Sequence, residues 1–223
     1  MFRMRAYDPP KRVQIAIKNL FIIMAYFLIV TLFLAIAYYP EKYQFFDEHI
    51  SNLGGFSSNL GAVNSNSMLI MMIGFGVCGL LVLVVGVLYF VNRDLHLWLP
   101  KGILSVALAI GAAGVAIPLD HSLRILHLAG AGIFIGGFAA FNALLQISSL
   151  IKKRKDKADD VNKLDTIWDI ILSAIVIIIL LGYFTVFALD WLGVGPLNLG
   201  PLFQKAVVFA EILALYFIDN QDI

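Results

Sequence analysis

Charged residues are scarce in this chain. Only 14% of its 223 residues are Asp, Glu, Lys or Arg, whereas 61% are hydrophobic, and the mean hydropathy is +0.89. A soluble domain has about 45–50% apolar and about 25% charged residues. The shortage of charge therefore excludes an ordinary soluble domain and predicts a single integral membrane domain over residues 1–223.

Cysteine is nearly absent, and the positive and negative charges almost cancel. The one cysteine, Cys78, excludes an intrachain disulfide and a cysteine-based metal site, and its apolar surroundings predict a small packing residue. The net charge of +1, without an aromatic-basic motif, favours no nucleic-acid partner. Since the sequence has no HExxH or similar spacing, it identifies no metal and no other cofactor.

Long apolar runs, by contrast, are abundant. A helix needs about 20 apolar residues to cross the hydrocarbon layer of a bilayer. Six segments predict an all-α protein with six transmembrane helices, at residues 19–39, 68–91, 102–119, 125–151, 167–189 and 201–218. The first segment is longer than a typical signal-peptide core and lacks a small-x-small cleavage site, which predicts a retained helix.

The distribution of basic residues predicts the orientation. With the N-terminus inside the cell, 13 of the 16 Lys and Arg residues lie on the cytoplasmic side, including the basic run at residues 152–157. The positive-inside rule therefore favours both termini inside and predicts a multi-pass protein of the cell membrane. The polar stretch at residues 47–67 and the turn at residues 120–124 then face the outside.

Glycines recur in the second, third and fourth apolar segments at spacings of three and four residues. Small residues at such spacings let helix backbones approach closely in lipid. We therefore expect tight contacts among these three helices or, alternatively, a face for a homo-oligomer. The residues concerned are Gly74, Gly76, Gly79, Gly111, Gly114, Gly130, Gly132, Gly136 and Gly137, of which Gly132 and Gly136 form a GxxxG pair.

Polar side chains are concentrated at the predicted outer ends of the apolar segments, and one lies near the middle of the sixth. An ionisable residue within a span rarely faces lipid and marks a candidate functional site. The candidate catalytic residues are His127, Asp120 and His49, and the candidate ligand-binding residues are Arg124, His121, Glu48, Asp47 and Glu211.

Each of these residues has a functional and a structural interpretation. His127 with Asp120 suits an acid–base pair, and Arg124 suits a phosphate or carboxylate group. Glu211 must be protonated, paired or beside a wet cavity at its depth. The structural alternatives are a helix cap for Asp120, an interfacial anchor for Arg124 and a hydrogen bond between helices for His127 and Glu211.

Two short motifs carry a family resemblance. The sequence His-Ile-Ser-Asn-Leu-Gly at residues 49–54 follows Tyr39-Pro40, and Pro118-Leu119-Asp120 precedes His127. Together they resemble the uncharacterised six-span bacterial and archaeal membrane proteins that look distantly like the Frag1/DRAM group. The positions that match the family pattern are Pro40, Ile50, Ser51, Leu53, Gly54, Pro118, Asp120 and His127.

The resemblance implies a fold of six helices and no settled activity. Asn52 stands where an acid is common in the family, so no role of that acid is carried over. Eukaryotic relatives of the family are associated with membrane-lipid and lysosomal processes, which is an analogy at the level of the fold.

Several functions are compatible with the sequence. The first is an outward polar pocket that binds or modifies a lipid headgroup, with enzymatic activity left open. The second is an accessory or scaffold subunit with membrane-protein partners. The third is a haem protein, which would need His49 together with His121 or His127 because His96 lies on the other side. The fourth is a proton-coupled membrane protein that uses Glu211.

Overall fold

The computed structural model describes residues 9–120, 122–155, 163–193 and 199–216. Within these ranges the chain forms helices and two isolated β-bridges, so the all-α prediction is confirmed for this part of the protein. The α-helices are α1 Pro9–Ala37, α2 Ser65–Val91, α3 Trp98–Ala116, α4 Arg124–Lys155, α5 Lys163–Trp191 and α6 Gly200–Tyr216. A short 3₁₀ helix, Ile50–Gly54, lies between α1 and α2.

Four helices in the described ranges are long and apolar enough to cross a membrane, which indicates a membrane protein. Their apolar parts are Lys11–Ala37, Ser65–Val91, Trp98–Ala116 and Arg124–Leu145, and α5 contains a shorter apolar stretch, Ala174–Leu189. As described, α6 has 17 residues, or about 25 Å at 1.5 Å per residue.

Helix boundaries differ from the predicted spans where the chain is polar. Helix α1 already includes Pro9, ten residues before the predicted first span, because hydropathy does not detect a polar helical extension. Helix α3 ends before Pro118, as expected. Helix α4 begins only at Arg124, so Asp120 lies in the preceding turn and not on the helix face that carries His127.

The helices pack largely in chain order. Helix α2 lies against α1 and α3, α3 lies against α4, and the α5–α6 pair contacts α4, with α6 also reaching α1. Close contacts occur at several of the predicted glycines, since a Cβ added to Gly114 would lie 2.6 Å from the Gly130 Cα and one added to Gly79 would lie 3.3 Å from the Ala112 Cβ. In the GxxxG pair, a Cβ added to Gly136 would lie 3.6 Å from the Phe184 Cζ, whereas one added to Gly132 would meet no described atom of another element within 4 Å.

The segment between α1 and α2, residues 38–64, is called the connector below. Its 3₁₀ helix packs against α1, α2 and α6, and the Leu119 N–H donates to the Gly54 carbonyl oxygen at 3.1 Å. The connector, the α3–α4 turn and the start of α6 therefore lie at the same end of the helices. Residues 47–55 therefore lie close to the turn before α4.

Candidate ligand pocket

His127 is held rigidly at the start of α4 and is only 1% exposed. Its ring nitrogen Nδ1 lies 2.7 Å from the Ile117 carbonyl oxygen at the end of α3. Because a carbonyl oxygen can only accept, Nδ1 carries the hydrogen, and Nε2 of the neutral ring is left as an acceptor. No described residue makes a hydrogen bond to this buried Nε2. The imidazole therefore retains one unused polar atom.

The His127 ring lines a cavity of about 30 Å³ at the connector end. We call this cavity the His127 pocket. A cavity needs roughly 10–15 Å³ of such volume to hold one water molecule, so the pocket has room for a water or a small ligand group. Its lining is Leu32, Ile50, Ser51, Met71, Phe75, Val115, His127, Ala131, Phe134, Ile135, Gln204 and Val208.

The 3₁₀ helix forms one wall of the pocket and is fixed by hydrogen bonds from several elements. The Ile50 N–H donates to Gln204 Oε1 of α6 at 2.8 Å. The Leu53 carbonyl accepts from Asn64 Nδ2 at 3.0 Å and from Ser67 Oγ of α2 at 2.9 Å. Buried backbone groups of a non-helical segment need such partners. The same bonds hold this wall, with Ile50 and Ser51, against the pocket.

A second polar cluster lies beside the pocket and joins the connector to α6. Lys205 is 2% exposed, and its ammonium group donates to the carbonyl oxygens of Glu48 and Pro201. The same Nζ lies 5.4 Å from the ring centre of Tyr43 and 5.1 Å from that of Phe45. Backbone carbonyls and aromatic faces thus surround a buried cation.

Glu48 places a carboxylate in this cluster and is only 7% exposed. Its Oε1 accepts from the Gln44 N–H at 3.4 Å, and its buried Oε2 receives no hydrogen bond from any described residue. The side chain of the buried Tyr39 lies beside this carboxylate and interacts with it. Burial, followed by the charge of Glu48, raises the pKa of the Tyr43 phenol above its ordinary value.

The residues predicted from the sequence occupy different environments. His127 lines the pocket, and Glu48 belongs to the neighbouring cluster. His49 is half-buried just before the 3₁₀ helix and is not part of the lining, while Asp47, Asp120 and Arg124 are exposed. His121 lies outside the described residues. Among the described residues, no group of three His, Cys, Asp or Glu side chains is placed to hold a metal ion.

Gln204 and Lys205 are the contributors to this region that sequence reasoning missed. They form a polar pair in the first two turns of the last apolar segment, which is the signal that was available. A polar pair near the end of a span is equally consistent with an interfacial anchor. Only the fold shows that both side chains contact the connector.

Deeper in the helices, three further buried residues have polar atoms without a partner among the described residues. They are Glu211 at Oε1, Asn142 at both amide atoms and Tyr89 at the hydroxyl. Glu211 is 1% exposed and follows Gln204 and Val208 on one face of α6, at spacings of four and three residues. Glu211 therefore lies below the His127 pocket on the helix face that lines it.

Comparisons with known protein families, curated proteins and solved structures give no match to this chain. The resemblance to the Frag1/DRAM-like family stays a prediction. Function is therefore argued from the pocket and its neighbouring cluster.

Proposed function

We propose that this protein binds a lipid in the His127 pocket, with the lipid headgroup at the connector end. In this proposal all six helices cross the cell membrane, both termini are cytoplasmic, and the connector end faces outside. The positive-inside distribution of Lys and Arg supports this orientation.

The observation that carries the proposal is the unused Nε2 of His127 in a largely apolar cavity. A buried polar atom without a partner costs about 1–3 kcal/mol, and a ligand that donates a hydrogen bond there would recover part of this cost. Ligand sites are typically apolar with a few fixed polar groups. Ser51 and Gln204 supply the other polar side chains of this lining.

Aromatic side chains at the connector end support a position at the membrane–water interface. Tyr38, Phe45 and Phe46 are exposed, at 58%, 41% and 67%. Aromatic rings concentrate at the headgroup level of bilayers. A lipid at this level has its headgroup near the connector and its acyl chains beside the helices.

The pocket volume sets a condition on binding. About 30 Å³ accepts a water or one small group, so a larger part of a lipid enters only if the 3₁₀ helix moves outward. That movement breaks the hydrogen bond between Ile50 and Gln204. We therefore expect binding to be slow compared with simple diffusion to an open groove.

Photocrosslinking tests the proposal. The purified protein is reconstituted with a phospholipid that carries a diazirine near the headgroup, and labelled peptides are identified by mass spectrometry. We expect labelling of residues around the pocket, such as Leu32 and Phe75. Ala131→Leu fills the cavity without touching the His127 hydrogen bond and should lower this labelling several-fold.

The matched control is Ala129→Leu, an equal enlargement at an exposed position of the same helix. It should leave the labelling unchanged. His127→Phe should also reduce labelling, with thermal unfolding measured to confirm that the variant is folded. Equal labelling of the Ala131→Leu and Ala129→Leu variants, or labels confined to lipid-facing residues, would show that the pocket does not take lipid.

A further inference from the structure

Glu48 and Lys205 place two opposite charges next to the His127 pocket without joining them directly. Both hydrogen bonds that Lys205 Nζ donates to described residues go to carbonyl oxygens. Glu48 Oε2 receives none from the described part of the chain. Buried charges normally contact an opposite charge or are fully hydrogen-bonded. Each member of this pair therefore keeps unused bonding capacity.

The hydrogen-bonding atoms of each group that lack a partner can be named. An ammonium group has three N–H donors, and the carbonyls of Glu48 and Pro201 accept from two of them. The carboxylate of Glu48 has a second acceptor, Oε2, which receives no hydrogen bond from the described residues and lies near the interacting Tyr39 side chain. The cluster thus offers one charged donor and one charged acceptor.

The cluster is also continuous with the pocket. Gln204, which precedes Lys205, lines the pocket and accepts from Ile50, two residues after Glu48. Glu48 and Lys205 lie behind this lining, so a ligand group reaches the two charges when the 3₁₀ helix moves away from α6.

We propose that Glu48 and Lys205 select a phospholipid whose headgroup carries a primary amine beside its phosphate, as phosphatidylethanolamine does. The amine donates to Glu48 Oε2, and the phosphate accepts the remaining N–H of Lys205. Both are charge-assisted hydrogen bonds, the stronger kind in proteins. This inference rests on the proposed lipid binding in the His127 pocket.

The aromatic rings of the cluster favour a primary amine over choline. Quaternary ammonium groups bind through the faces of aromatic rings, but Lys205 already lies over the rings of Tyr43 and Phe45. The acceptor is a carboxylate oxygen, which binds a group with N–H donors more tightly than a group without them. Stepwise methylation of the amine should therefore weaken binding at each step.

The test measures lipid binding by native mass spectrometry of the full-length protein. The probes share one set of acyl chains and differ in the headgroup: ethanolamine, monomethyl- and dimethylethanolamine, choline and glycerol. We expect the ethanolamine lipid to bind several-fold more tightly than the choline and glycerol lipids. Glu48→Gln should reduce this preference to near equality while the glycerol lipid still binds.

Asp47→Asn is the matched control because it removes the same formal charge from the exposed neighbouring residue. It should keep the preference for ethanolamine. Lys205→Met should weaken all of the phospholipids, whereas Lys205→Arg should restore much of the binding. Equal binding of all headgroups, or equal effects of Glu48→Gln and Asp47→Asn, would overturn the selectivity. Absence of any lipid sensitive to Ala131→Leu would instead overturn the pocket itself.

Discussion

Gly114 of α3 and Gly130 of α4 bring their two backbones into direct contact. A Cβ added to Gly114 would lie 2.6 Å from the Gly130 Cα, closer than carbon atoms approach without strain. This contact lies one helical turn below the Ile117–His127 hydrogen bond, since Gly114 and Gly130 each stand three residues further into their helices. The glycine pair therefore sets the α3–α4 spacing that positions His127.

We expect Gly114→Ala to lower the free energy of unfolding by about 1–3 kcal/mol, the usual cost of overpacking a core. Its backbone neighbour cannot rotate away as a side chain could. Gly132→Ala is the control, because the added Cβ meets no atom of another element within 4 Å in the described part of the chain, and it should be neutral or slightly stabilising. Unfolding curves in detergent measure the stability of both variants. A loss of stability in Gly132→Ala but not in Gly114→Ala would contradict the α3–α4 contact.

Gln204→Leu should loosen the wall of the pocket. The substitution removes the acceptor of the Ile50 N–H and leaves a buried donor unpaired, at a cost of about 1–3 kcal/mol. Hydrogen exchange at residues 49–54 should accelerate, while exchange in the middle of α2 stays slow. Gln204→Glu retains an oxygen acceptor and should resemble the wild type. Unchanged exchange in Gln204→Leu would mean that this bond does not hold the 3₁₀ helix.

Glu211→Leu should have the opposite effect on stability, although it lies on the same face of α6. Glu211 Oε1 has no partner among the described residues, so the substitution removes a polar atom that is costly to bury and adds apolar contact. We expect an unchanged or higher free energy of unfolding, measured beside Gln204→Leu. A loss comparable to that of Gln204→Leu would show that Glu211 makes a stabilising interaction.

Tyr43→Phe should reveal that the Tyr43 hydroxyl stabilises the folded protein and that this contribution disappears at alkaline pH. The Tyr43 hydroxyl donates to the Glu48 carbonyl at 2.9 Å, and the folded state holds this proton more tightly than the unfolded state because the pKa is raised. The contribution, about 0.5–1.5 kcal/mol, is complete below the unfolded pKa of about 10. It declines as the pH rises through the folded pKa.

The measurement is the difference in unfolding free energy between wild type and Tyr43→Phe at several pH values. Taking the difference cancels the titration of the other tyrosines. If the difference in unfolding free energy stays constant from pH 8 to beyond pH 11, the pKa of the Tyr43 phenol is not raised by folding.

The positions of the helices were predictable because each is a long apolar run. The N-terminal part of α1 was not, since the predicted span began at residue 19 and α1 already includes residues 9–18, several of which are polar. Hydropathy indicates whether a segment prefers lipid or water. Helix formation depends on backbone hydrogen bonds, which polar residues also allow.

His127 and Glu48 were identifiable as candidates because each is ionisable in or beside an apolar segment. Their surroundings were not, because the contacts of Ile50 with Gln204 and of Glu48 with Lys205 join segments far apart in the chain. No local periodicity encodes which helix a loop will cover. The start of α4 at Arg124 lies within one residue of the predicted span, and Asp120 lies in the turn before it.

The separation of these contacts along the chain has a consequence for biogenesis. The connector is synthesised early, but its anchors Gln204 and Lys205 follow 154 and 157 residues later. A nascent chain that has inserted α1 to α4 therefore has His127 in place while the 3₁₀ helix still lacks its anchors on α6. Until α6 docks, the connector lacks the two hydrogen bonds that Gln204 and Lys205 supply, and the wall of the pocket forms only when the last helix is in place.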